Sequence, residues 1–388
     1  MTGEFNTCTE CSLQTGENVE YPLSQVYFYL AQGCNLRCRH CWIEPKYQAG
    51  SRDYPTLDFD IFRLILDQAA SLGLSKVKLT GGEPLLHERI ADIIAEIRTR
   101  GLKLAVETNG ILCTKATAEL IASVSNSFTS VSLDGANAET HEWVRGVKGC
   151  FDQALAGIRN LVDAGVRTQI IMTVMRHNSD QLGQIVRLAE ELGVRSVKFN
   201  LVQPISRGAQ MHASGETLSI KELIDLGKWV EDELAPTTRL DIQYSHPPAF
   251  RPLHRLYRSG TGLCGLCGIK GIIGVLADGS YALCGIGETV PELIFGKAGE
   301  DDLREVWNNH PVLNDLRKGL PTQLNGICSN CTMSGICLGN CIAQNYYRSR
   351  DLWAPYWYCE QAYEKGLFPE SRLKIIENET EDVTNAEQ

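Results

Sequence analysis

The feature that most constrains this chain is its set of 15 cysteines among 388 residues. A chain of this length, with 43% hydrophobic residues, can bury a large core, so it does not need disulfides to stabilise the fold in place of a core. The first twenty residues contain neither a basic start nor an apolar run, so they do not predict a secretory signal. The cysteines are therefore expected in a reducing, cytoplasmic setting, where grouped thiols bind metals or clusters.

The charge balance excludes two classes of partner. Lys and Arg number 37 against 47 Asp and Glu, which gives a net charge of −10. An acidic chain of this kind has no diffuse attraction for a phosphate backbone or an anionic lipid surface. No window of 18 apolar residues occurs either. The sequence thus predicts no nucleic-acid partner and no membrane span.

Short apolar runs alternate with segments of helical periodicity from about residue 24, which is typical of βα units on a parallel sheet. Strands are predicted at 25–30, 76–80, 103–108, 130–134, 168–174 and 196–200. Helices are predicted at 58–72, 87–100, 114–124, 151–164 and 180–192. The alternating pattern ends near residue 203, and one further helix is predicted at 218–233. Six strands with five connecting helices indicate an α/β fold, a partial (β/α)6 barrel similar to a TIM barrel. In such a fold the active site lies at the C-terminal ends of the strands.

The segment GCNLRCRHC places Cys34, Cys38 and Cys41 on the loop after the first strand. Three thiolates on one tight loop suit a four-iron cluster and leave one iron without a protein ligand. An open metal position is typical of a catalytic site. The alternative is a zinc site completed by His40. It is disfavoured because His40 lies between two of the ligands and zinc usually draws on a second, distant pair.

This loop resembles the signature of the radical S-adenosylmethionine (SAM) enzymes. The resemblance implies that the amino and carboxylate groups of SAM fill the open iron. It also implies that the reduced cluster cleaves SAM to methionine and a 5′-deoxyadenosyl radical, which abstracts hydrogen from a substrate. Further motifs of the family follow in order at successive strand ends, namely GGEP after strand two, TNG after strand three, SLDG after strand four, and then Arg145 in HEWVRG.

The resemblance implies a set of SAM contacts at these motifs. Glycines let a backbone approach a ligand closely, Glu83 can accept hydrogen bonds from an ammonium group, and Arg145 can pair with a carboxylate. Asn200, together with Gln203, is expected to frame the adenine. The predicted contacts are Gly81, Gly82, Glu83, Pro84, Asn109, Ser132, Arg145 and Asn200.

Eight further cysteines lie beyond residue 260. Their C-x2-C pairs alone would also suit two zinc knuckles. The run C-x2-C-x5-C-x3-C, with a preceding pair and a cysteine after a glycine, instead resembles a SPASM domain, a module that carries two auxiliary [4Fe–4S] clusters. By position, the resemblance implies auxiliary site I at Cys264, Cys267, Cys284 and Cys341, and auxiliary site II at Cys328, Cys331, Cys337 and Cys359. The predicted cofactors are therefore three [4Fe–4S] clusters and SAM.

Prolines at 247, 248 and 252 interrupt regular structure between the two modules, and the last residues are acidic. The predicted organisation is an N-terminal extension (1–23), a radical SAM partial barrel (24–204), a bridging region (205–258), a SPASM domain with small β-hairpins and short helices (259–365), and an acidic tail (366–388).

Four cysteines remain outside these sites. Cys8 and Cys11 form a lone C-x2-C pair in a polar terminus, which favours an incidental pair over a metal site. Cys113 follows TNG near the expected barrel mouth. It has two interpretations, a hydrogen-atom donor to a substrate radical or a small buried residue at a helix start, and the second is favoured. Cys150 begins a helix and is expected in the core.

The functional hypothesis is maturation of a ribosomally made peptide by cross-linking, epimerisation or backbone excision. The alternatives are a formylglycine maturase acting on sulfatases and a small-molecule oxidation in cofactor biosynthesis. The family's formylglycine maturases place an Asp after the post-glycine cysteine, where this chain has Gly285, and that departure counts against the first alternative. A non-enzymatic electron-transfer protein is disfavoured because the Cys34, Cys38 and Cys41 trio leaves an open iron.

Expected partners follow from this hypothesis. They are a precursor peptide as substrate and a reductant such as flavodoxin or ferredoxin. Only some two dozen residues precede the first strand, so we expect the leader peptide to be bound by a separate small protein or by the barrel and the region around 205–255.

Overall fold

A computed structural model describes residues 20–47, 54–256 and 266–375. Its centre is a ten-stranded sheet with the order β10-β9-β8-β1-β2-β3-β4-β5-β6-β7. The strands β1 to β8 pair in parallel, and β9 and β10 continue the sheet as antiparallel neighbours. The strands are β1 (Gln25–Tyr29), β2 (Lys76–Thr80), β3 (Lys103–Thr108), β4 (Phe128–Ser132), β5 (Arg167–Val174), β6 (Ser196–Leu201), β7 (Asp241–Tyr244), β8 (Ile272–Val275), β9 (Ser280–Ala282) and β10 (Ile294–Lys297).

Helices cover one face of this sheet. The described α-helices are α1 (Phe59–Ala70), α2 (Ile90–Thr99), α3 (Lys115–Ala122), α4 (Ala138–Arg145), α5 (Cys150–Asp163), α6 (Leu182–Glu191), α7 (Arg207–Ala213), α8 (Ile220–Trp229), α9 (Leu253–Leu256), α10 (Leu303–Asn309), α11 (Pro311–Gly319), α12 (Gly326–Ser329), α13 (Ser334–Cys337), α14 (Ile342–Ser349) and α15 (Trp357–Glu364). None of these described helices is both long and apolar enough to cross a bilayer.

Alternation along the strands separates an apolar face from a polar one. On β2, Val77 and Leu79 are completely buried in the main core, whereas Lys78 between them is only half-buried. The same pattern places Val197 and Phe199 of β6 in the core and leaves Lys198 on the other face. Because successive side chains of a strand point to opposite faces, the helices pack on the apolar face and the polar face lines the inside of the partial barrel.

All six predicted strands are present, and the α/β partial-barrel prediction is confirmed. Strand β4 begins and ends two residues before the predicted 130–134, because Phe128 and Thr129 already pair with β5. Helix α4 was not predicted; its eight residues include only a few apolar positions, and Asn137 caps it by accepting a hydrogen bond from the Thr140 amide.

The sheet also contains two parallel strands that the sequence analysis did not predict. Strand β7 pairs with β6, and β8 pairs with β1 on the opposite side of the sheet. They come from the ranges 205–258 and 259–365, so the sheet continues across both predicted boundaries. Each strand is only four residues long. Such short segments carry little periodicity, and their positions depend on pairing with strands far away in the sequence.

Helix α1 anchors the first strand of the sheet. The ring of Phe62 lies with its centroid 4.7 Å from that of Phe28 on β1, and both side chains are fully buried. Phe59, three residues earlier on the same helix, is only half-buried and lies under the guanidinium of Arg89. The two phenylalanines therefore differ in burial while sharing one helix.

We expect Phe62→Ala to lower the free energy of unfolding by about 3–5 kcal/mol, because it removes a fully buried ring and leaves a cavity. The matched variant Phe59→Ala should cost clearly less. The midpoint of urea unfolding of the cluster-free protein, followed by circular dichroism, measures both changes. Equal shifts for the two variants would contradict this account of the core.

Candidate functional site

The predicted trio of cysteines lies on one loop at the C-terminal end of β1. Gly33 and Cys34 pair in parallel with Lys46 and Tyr47, which closes the base of the loop. Cys34 and Cys38 are buried and Cys41 is half-buried. The Leu36 amide lies 3.4 Å from the Cys34 sulfur and donates to it. The structure therefore brings the three thiols together on a short, ordered loop.

Burial determines the protonation of two of these thiols. It raises the pKa of Cys34 above its ordinary value, and burial together with Cys38 raises the pKa of Cys41 to about 11. In the cluster-free protein Cys34 and Cys41 are therefore protonated at neutral pH. Iron supplies the positive charge that stabilises buried thiolates, so this donor set fits a cluster.

The loop is held against the end of helix α4. The amides of Arg37 and Arg39 donate to the carbonyls of Arg145 and Val144, at 3.0 and 2.9 Å. Gly146 ends the helix with a φ of 72°, and a Cβ at this position would lie 2.7 Å from the Arg37 carbonyl oxygen. Only glycine therefore allows α4 to end this close to the cysteine loop.

A buried ion pair connects strand β4, helix α4 and the trio. The Arg145 guanidinium lies 2.7 Å from the Asp134 carboxylate, and the two side chains are 7% and 0% exposed. A second guanidinium nitrogen donates to the Cys38 sulfur at 3.4 Å. Asp134 also accepts from the Thr173 amide at 2.7 Å. Arg145, expected to pair with the SAM carboxylate, thus already neutralises Asp134 and contacts a thiol.

His40 lies against the same carboxylate, with its Nε2 3.8 Å from Asp134. Burial lowers the pKa of His40 to about 4, although Asp134 acts in the opposite direction. In the described ranges, no three His, Cys, Asp or Glu side chains converge on a position for a single metal ion. The Nε2 of His40 is directed at the Asp134 carboxylate.

The GGEP segment docks directly on the base of the cysteine loop. The amide of Gly82 donates to the Ala31 carbonyl at 2.8 Å, and the amide of Glu83 donates to the Gly33 carbonyl at 3.0 Å. A Cβ on Gly82 would lie 2.1 Å from the Gly33 oxygen. Close backbone approach between the two loops, rather than approach to a ligand alone, requires glycine at this position.

Both oxygens of the Glu83 carboxylate accept hydrogen bonds from the protein. The carboxylate accepts from the Leu85 amide at 3.1 Å, the Thr108 hydroxyl at 2.7 Å and the Asn109 amide at 2.8 Å. Burial raises its pKa to about 7, and these three donors oppose that shift. The sequence analysis expected Glu83 to accept from the SAM ammonium group. In the structure its oxygens join the ends of β2 and β3, and Pro84 begins a short 3₁₀ turn after it.

Asn109 extends this network to the cysteine loop. Its side-chain nitrogen donates to the Asn35 side chain at 2.7 Å, and its side-chain oxygen accepts from the Ile111 backbone amide at 3.0 Å. Ser132 lies at the end of β4, and Asn200 on β6 accepts from the Ser245 hydroxyl at 2.9 Å. Gly82, Glu83, Asn109 and Arg145 therefore contact the cysteine loop or its base, with Gly81 and Pro84 beside them in the chain. Ser132 and Asn200 lie on strands farther along the same sheet.

The two remaining described cysteines are both buried. Cys113 is 1% exposed, belongs to the main hydrophobic core and has its pKa raised to about 12 by burial. This packing is that of the small buried residue favoured from the sequence. Cys150 is fully buried and packs with Cys34, Leu36 and Cys38, so it lies beside the trio. The sequence offered no signal for this proximity, because Cys150 is more than 100 residues away. Cys8 and Cys11 lie outside the described residues.

The cysteines predicted for auxiliary site II surround one cavity. The cavity is small, and its lining includes Cys328, Cys331, Cys337 and Cys359. The other lining side chains are mainly apolar, among them Tyr356 and Phe368. The Met333 amide donates to the Cys331 sulfur at 3.3 Å. Four thiols around one apolar cavity, with an amide aimed at a sulfur, fit a fully ligated [4Fe–4S] cluster.

Three of the four cysteines predicted for auxiliary site I are described, and Cys264 lies outside the described residues. Burial raises the pKa of Cys284, and the charges of the neighbouring Cys341 and Cys267 thiols raise it further. Cys284 lies against β8, where a Cβ on Gly274 would come within 2.8 Å of its Cα. The three thiols fit one cluster site beside the sheet.

Tyr29 is a residue of this region that sequence reasoning missed. The Gly285 amide donates to its hydroxyl group, and a Cβ on Gly285 would lie 2.3 Å from its ring. Gly285 is the position at which formylglycine maturases of the family were expected to have Asp. Here the buried Tyr29 ring fills the space that such a side chain would need.

We expect Arg145→Met to lower the free energy of unfolding by about 3–5 kcal/mol, because it leaves the Asp134 carboxylate buried without its partner. The double variant Asp134→Asn with Arg145→Met should recover most of this loss, since it removes both charges. Urea unfolding of the cluster-free proteins measures both effects. A double variant no more stable than Arg145→Met would show that the pair is not the source of the loss.

Comparisons with known proteins agree with this geometry. Residues 28–189 match the radical SAM superfamily, and residues 264–332 match the SPASM iron-sulfur cluster-binding domain. An AdoMet-dependent heme synthase of Methanosarcina barkeri is 30% identical over 341 residues, which cover 85% of this chain and 94% of that protein. The mycofactocin maturase MftC of Mycolicibacterium smegmatis is 27% identical, covering 89% of this chain and 84% of its own length.

Solved structures share the fold. Streptococcus suis SuiB bound to its precursor peptide SuiA superposes with a TM-score of 0.67 at 18% identity, covering 88% of this chain and 76% of that one. The enzyme anSMEcpe with bound AdoMet gives a TM-score of 0.66 at 18% identity, covering 88% of this chain and 95% of that one. With the cysteine loop, the GGEP docking and the auxiliary cysteines, these matches establish that the chain belongs to the radical SAM superfamily, as a radical SAM enzyme with a C-terminal SPASM domain.

Proposed function

We propose that this enzyme modifies a ribosomally made precursor peptide by removing hydrogen from an unactivated C–H bond and passing the remaining electron to an auxiliary cluster. The observation that carries the proposal is the position of auxiliary site I. Cys284 lies against β8, which pairs with β1, the strand that leads into the Cys34, Cys38 and Cys41 loop. An electron acceptor beside the barrel suits a net two-electron oxidation, such as a cross-link, because closing a bond requires the substrate radical to lose an electron.

The trio, with its cluster and SAM bound, supplies reductive cleavage of SAM and a radical able to abstract hydrogen. The protein's contribution is the arrangement around it. Asn109 and Glu83 fix the neighbouring loops through hydrogen bonds, and Arg145 places a positive charge at the Cys38 sulfur. These contacts hold the cysteine loop in one position relative to its neighbouring loops.

Peptide substrates are supported by several relatives. Besides MftC, a PqqA peptide cyclase of Ruegeria pomeroyi is 25% identical over 81% of both chains. By analogy the substrate here is a precursor peptide, delivered with or without a separate leader-binding protein. A cytoplasmic flavodoxin or ferredoxin is the proposed electron donor.

A second candidate is oxidation of a small molecule in cofactor biosynthesis. It is favoured by the similarity to AdoMet-dependent heme synthases, which extends over 94% of the Methanosarcina barkeri protein. The formylglycine alternative has less support, because Tyr29 occupies the space beside Gly285. Epimerisation is also less favoured, since Cys113, the proposed hydrogen donor for that reaction, is buried in the core.

We expect about 12 iron atoms per chain after anaerobic reconstitution, which corresponds to three four-iron clusters. Iron and zinc are measured together by elemental analysis of the full-length protein. About four iron atoms, with zinc making up the rest, would disprove both auxiliary-cluster assignments and the electron-acceptor role with them.

The variant with Cys34, Cys38 and Cys41 all changed to Ala should retain about eight iron atoms and form no 5′-deoxyadenosine. Chromatography of reactions with dithionite and SAM measures this product. Continued formation by the variant would place SAM cleavage elsewhere in the protein.

The substrate is tested by incubating any short peptide encoded near this gene with enzyme, SAM and reductant. The expected result is a peptide lighter by two hydrogen atoms in the mass spectrum, absent with the triple Ala variant. Unchanged peptides together with oxidation of a tetrapyrrole substrate would instead establish the second candidate.

A further inference from the structure

A row of residues crosses the inner face of the barrel from auxiliary site I to a charged pair. Tyr27 on β1 pairs in register with Gly274 of β8 on one side and with Lys78 of β2 on the other. Because Gly274 has no side chain, the backbone of Cys284 lies directly over it, at 2.8 Å from where a Cβ would be. Cys284, Tyr27 and Lys78 are therefore neighbours along one line across three strands.

Lys78 is held in this row by two contacts. Its ammonium lies 4.2 Å from the centroid of the Tyr27 ring and 2.8 Å from the Glu107 carboxylate. Glu107 is held in turn by the Thr80 hydroxyl at 3.3 Å. A cation over an aromatic face and a salt bridge fix the ammonium more firmly than either contact alone.

Both groups are charged at neutral pH. Burial acts to lower the pKa of Lys78, but Glu107 and Tyr27 together outweigh it and the pKa lies above its ordinary value. Burial acts to raise the pKa of Glu107, but Lys78 and, more weakly, Lys198 outweigh it, and the pKa lies below its ordinary value. The inner face therefore presents a fixed cation toward site I, with an anion behind it.

We propose that Lys78 is a positioning residue for electron transfer, one that raises the reduction potential of a cluster at auxiliary site I, while Glu107 limits this effect. The inference rests on the proposed electron-acceptor role of that site. A cluster bound by four thiolates carries net negative charge, and reduction makes it more negative. A nearby cation stabilises the reduced form, and a nearby anion destabilises it.

The consequence for catalysis follows from the direction of electron flow. The substrate radical loses one electron and one proton as the product bond closes; the cluster at site I takes the electron, and the proton passes to solvent water. A higher potential at site I favours this transfer. Lys78 thus makes the acceptor more oxidising without touching the substrate carbon or an iron ligand.

The test is a redox titration of the reconstituted full-length chain, followed by electron paramagnetic resonance without SAM or peptide. The triple Ala variant of Cys34, Cys38 and Cys41 serves as the background, because it leaves only the two auxiliary signals. Lys78→Met should make the midpoint of one signal more negative, by about tenfold in the reduction equilibrium constant, or 59 mV for one electron. Glu107→Gln should move the same midpoint in the positive direction.

Three further variants test whether the midpoint shift depends on the charge of Lys78 and which cluster gives the shifted signal. Lys78→Arg keeps the charge and should leave the midpoint near its original value. Lys115→Met removes the same charge from the exposed start of α3 and should change neither signal. Cys284→Ser should alter the same signal that responds to Lys78, which places that signal at site I.

Opposite shifts for Lys78→Met and Glu107→Gln, confined to the signal altered by Cys284→Ser, support the proposal. Unchanged midpoints, or equal shifts of both signals, overturn it. Because the titration uses no substrate, it is independent of the peptide assignment. If the triple Ala background binds eight iron atoms but Lys78→Met does not shift either midpoint in it, only the role of Lys78 is refuted. If the triple Ala background binds no iron at site I, the electron-acceptor role itself is refuted.

Discussion

The buried pair of Asp134 and Arg145 is the interaction on which the geometry around the trio depends. The carboxylate comes from the end of β4 and the guanidinium from the last turn of α4, and that same turn accepts two backbone hydrogen bonds from the cysteine loop. Neither charge is exposed, so each is stable in the interior only because of the other. The pair therefore fixes the direction of α4, and α4 in turn fixes the loop. A second guanidinium nitrogen of Arg145 donates to the Cys38 sulfur.

The GGEP and TNG segments also make contacts between loops of the protein. From the sequence, their residues were expected to contact SAM one by one. In the structure these residues contact neighbouring loops. Glu83 accepts a hydrogen bond from the Asn109 amide at the end of β3, and the Asn109 side chain donates to Asn35 of the cysteine loop. Contact with a cofactor and contact between loops are compatible, since a carboxylate oxygen can accept two hydrogen bonds and one Glu83 oxygen accepts only that of the Asn109 amide. The residue types alone do not separate these two roles, because a carboxylate accepts hydrogen bonds from an amide and from an ammonium group alike.

Cysteine spacing was the most informative part of the sequence. It predicted the trio, because ligands close in sequence are close in space, and the resemblance to SPASM domains implied the four cysteines that line the cavity of auxiliary site II, one of which, Cys359, lies far from the others in sequence. The six predicted strands were recovered for a related reason, since their apolar runs are long and regular. Strands β7 and β8 and the approach of Cys150 to Cys38 were not predicted. These features depend on pairings over 40 to 250 residues, which no local pattern records.

The strand that the sequence missed on the SPASM side has the largest consequence for function. If the SPASM domain were joined to the barrel only by a linker, the distance between an auxiliary cluster and the trio would vary with the linker's conformation. Instead β8 is hydrogen-bonded to β1, the strand that leads into the cysteine loop. Adjacent strands lie about 4.8 Å apart, so Cys284 is held at a distance from Tyr27 and Lys78 that strand pairing determines. Electron transfer and the charge effect of Lys78 both depend strongly on distance, and a shared sheet is the arrangement that keeps such a distance constant.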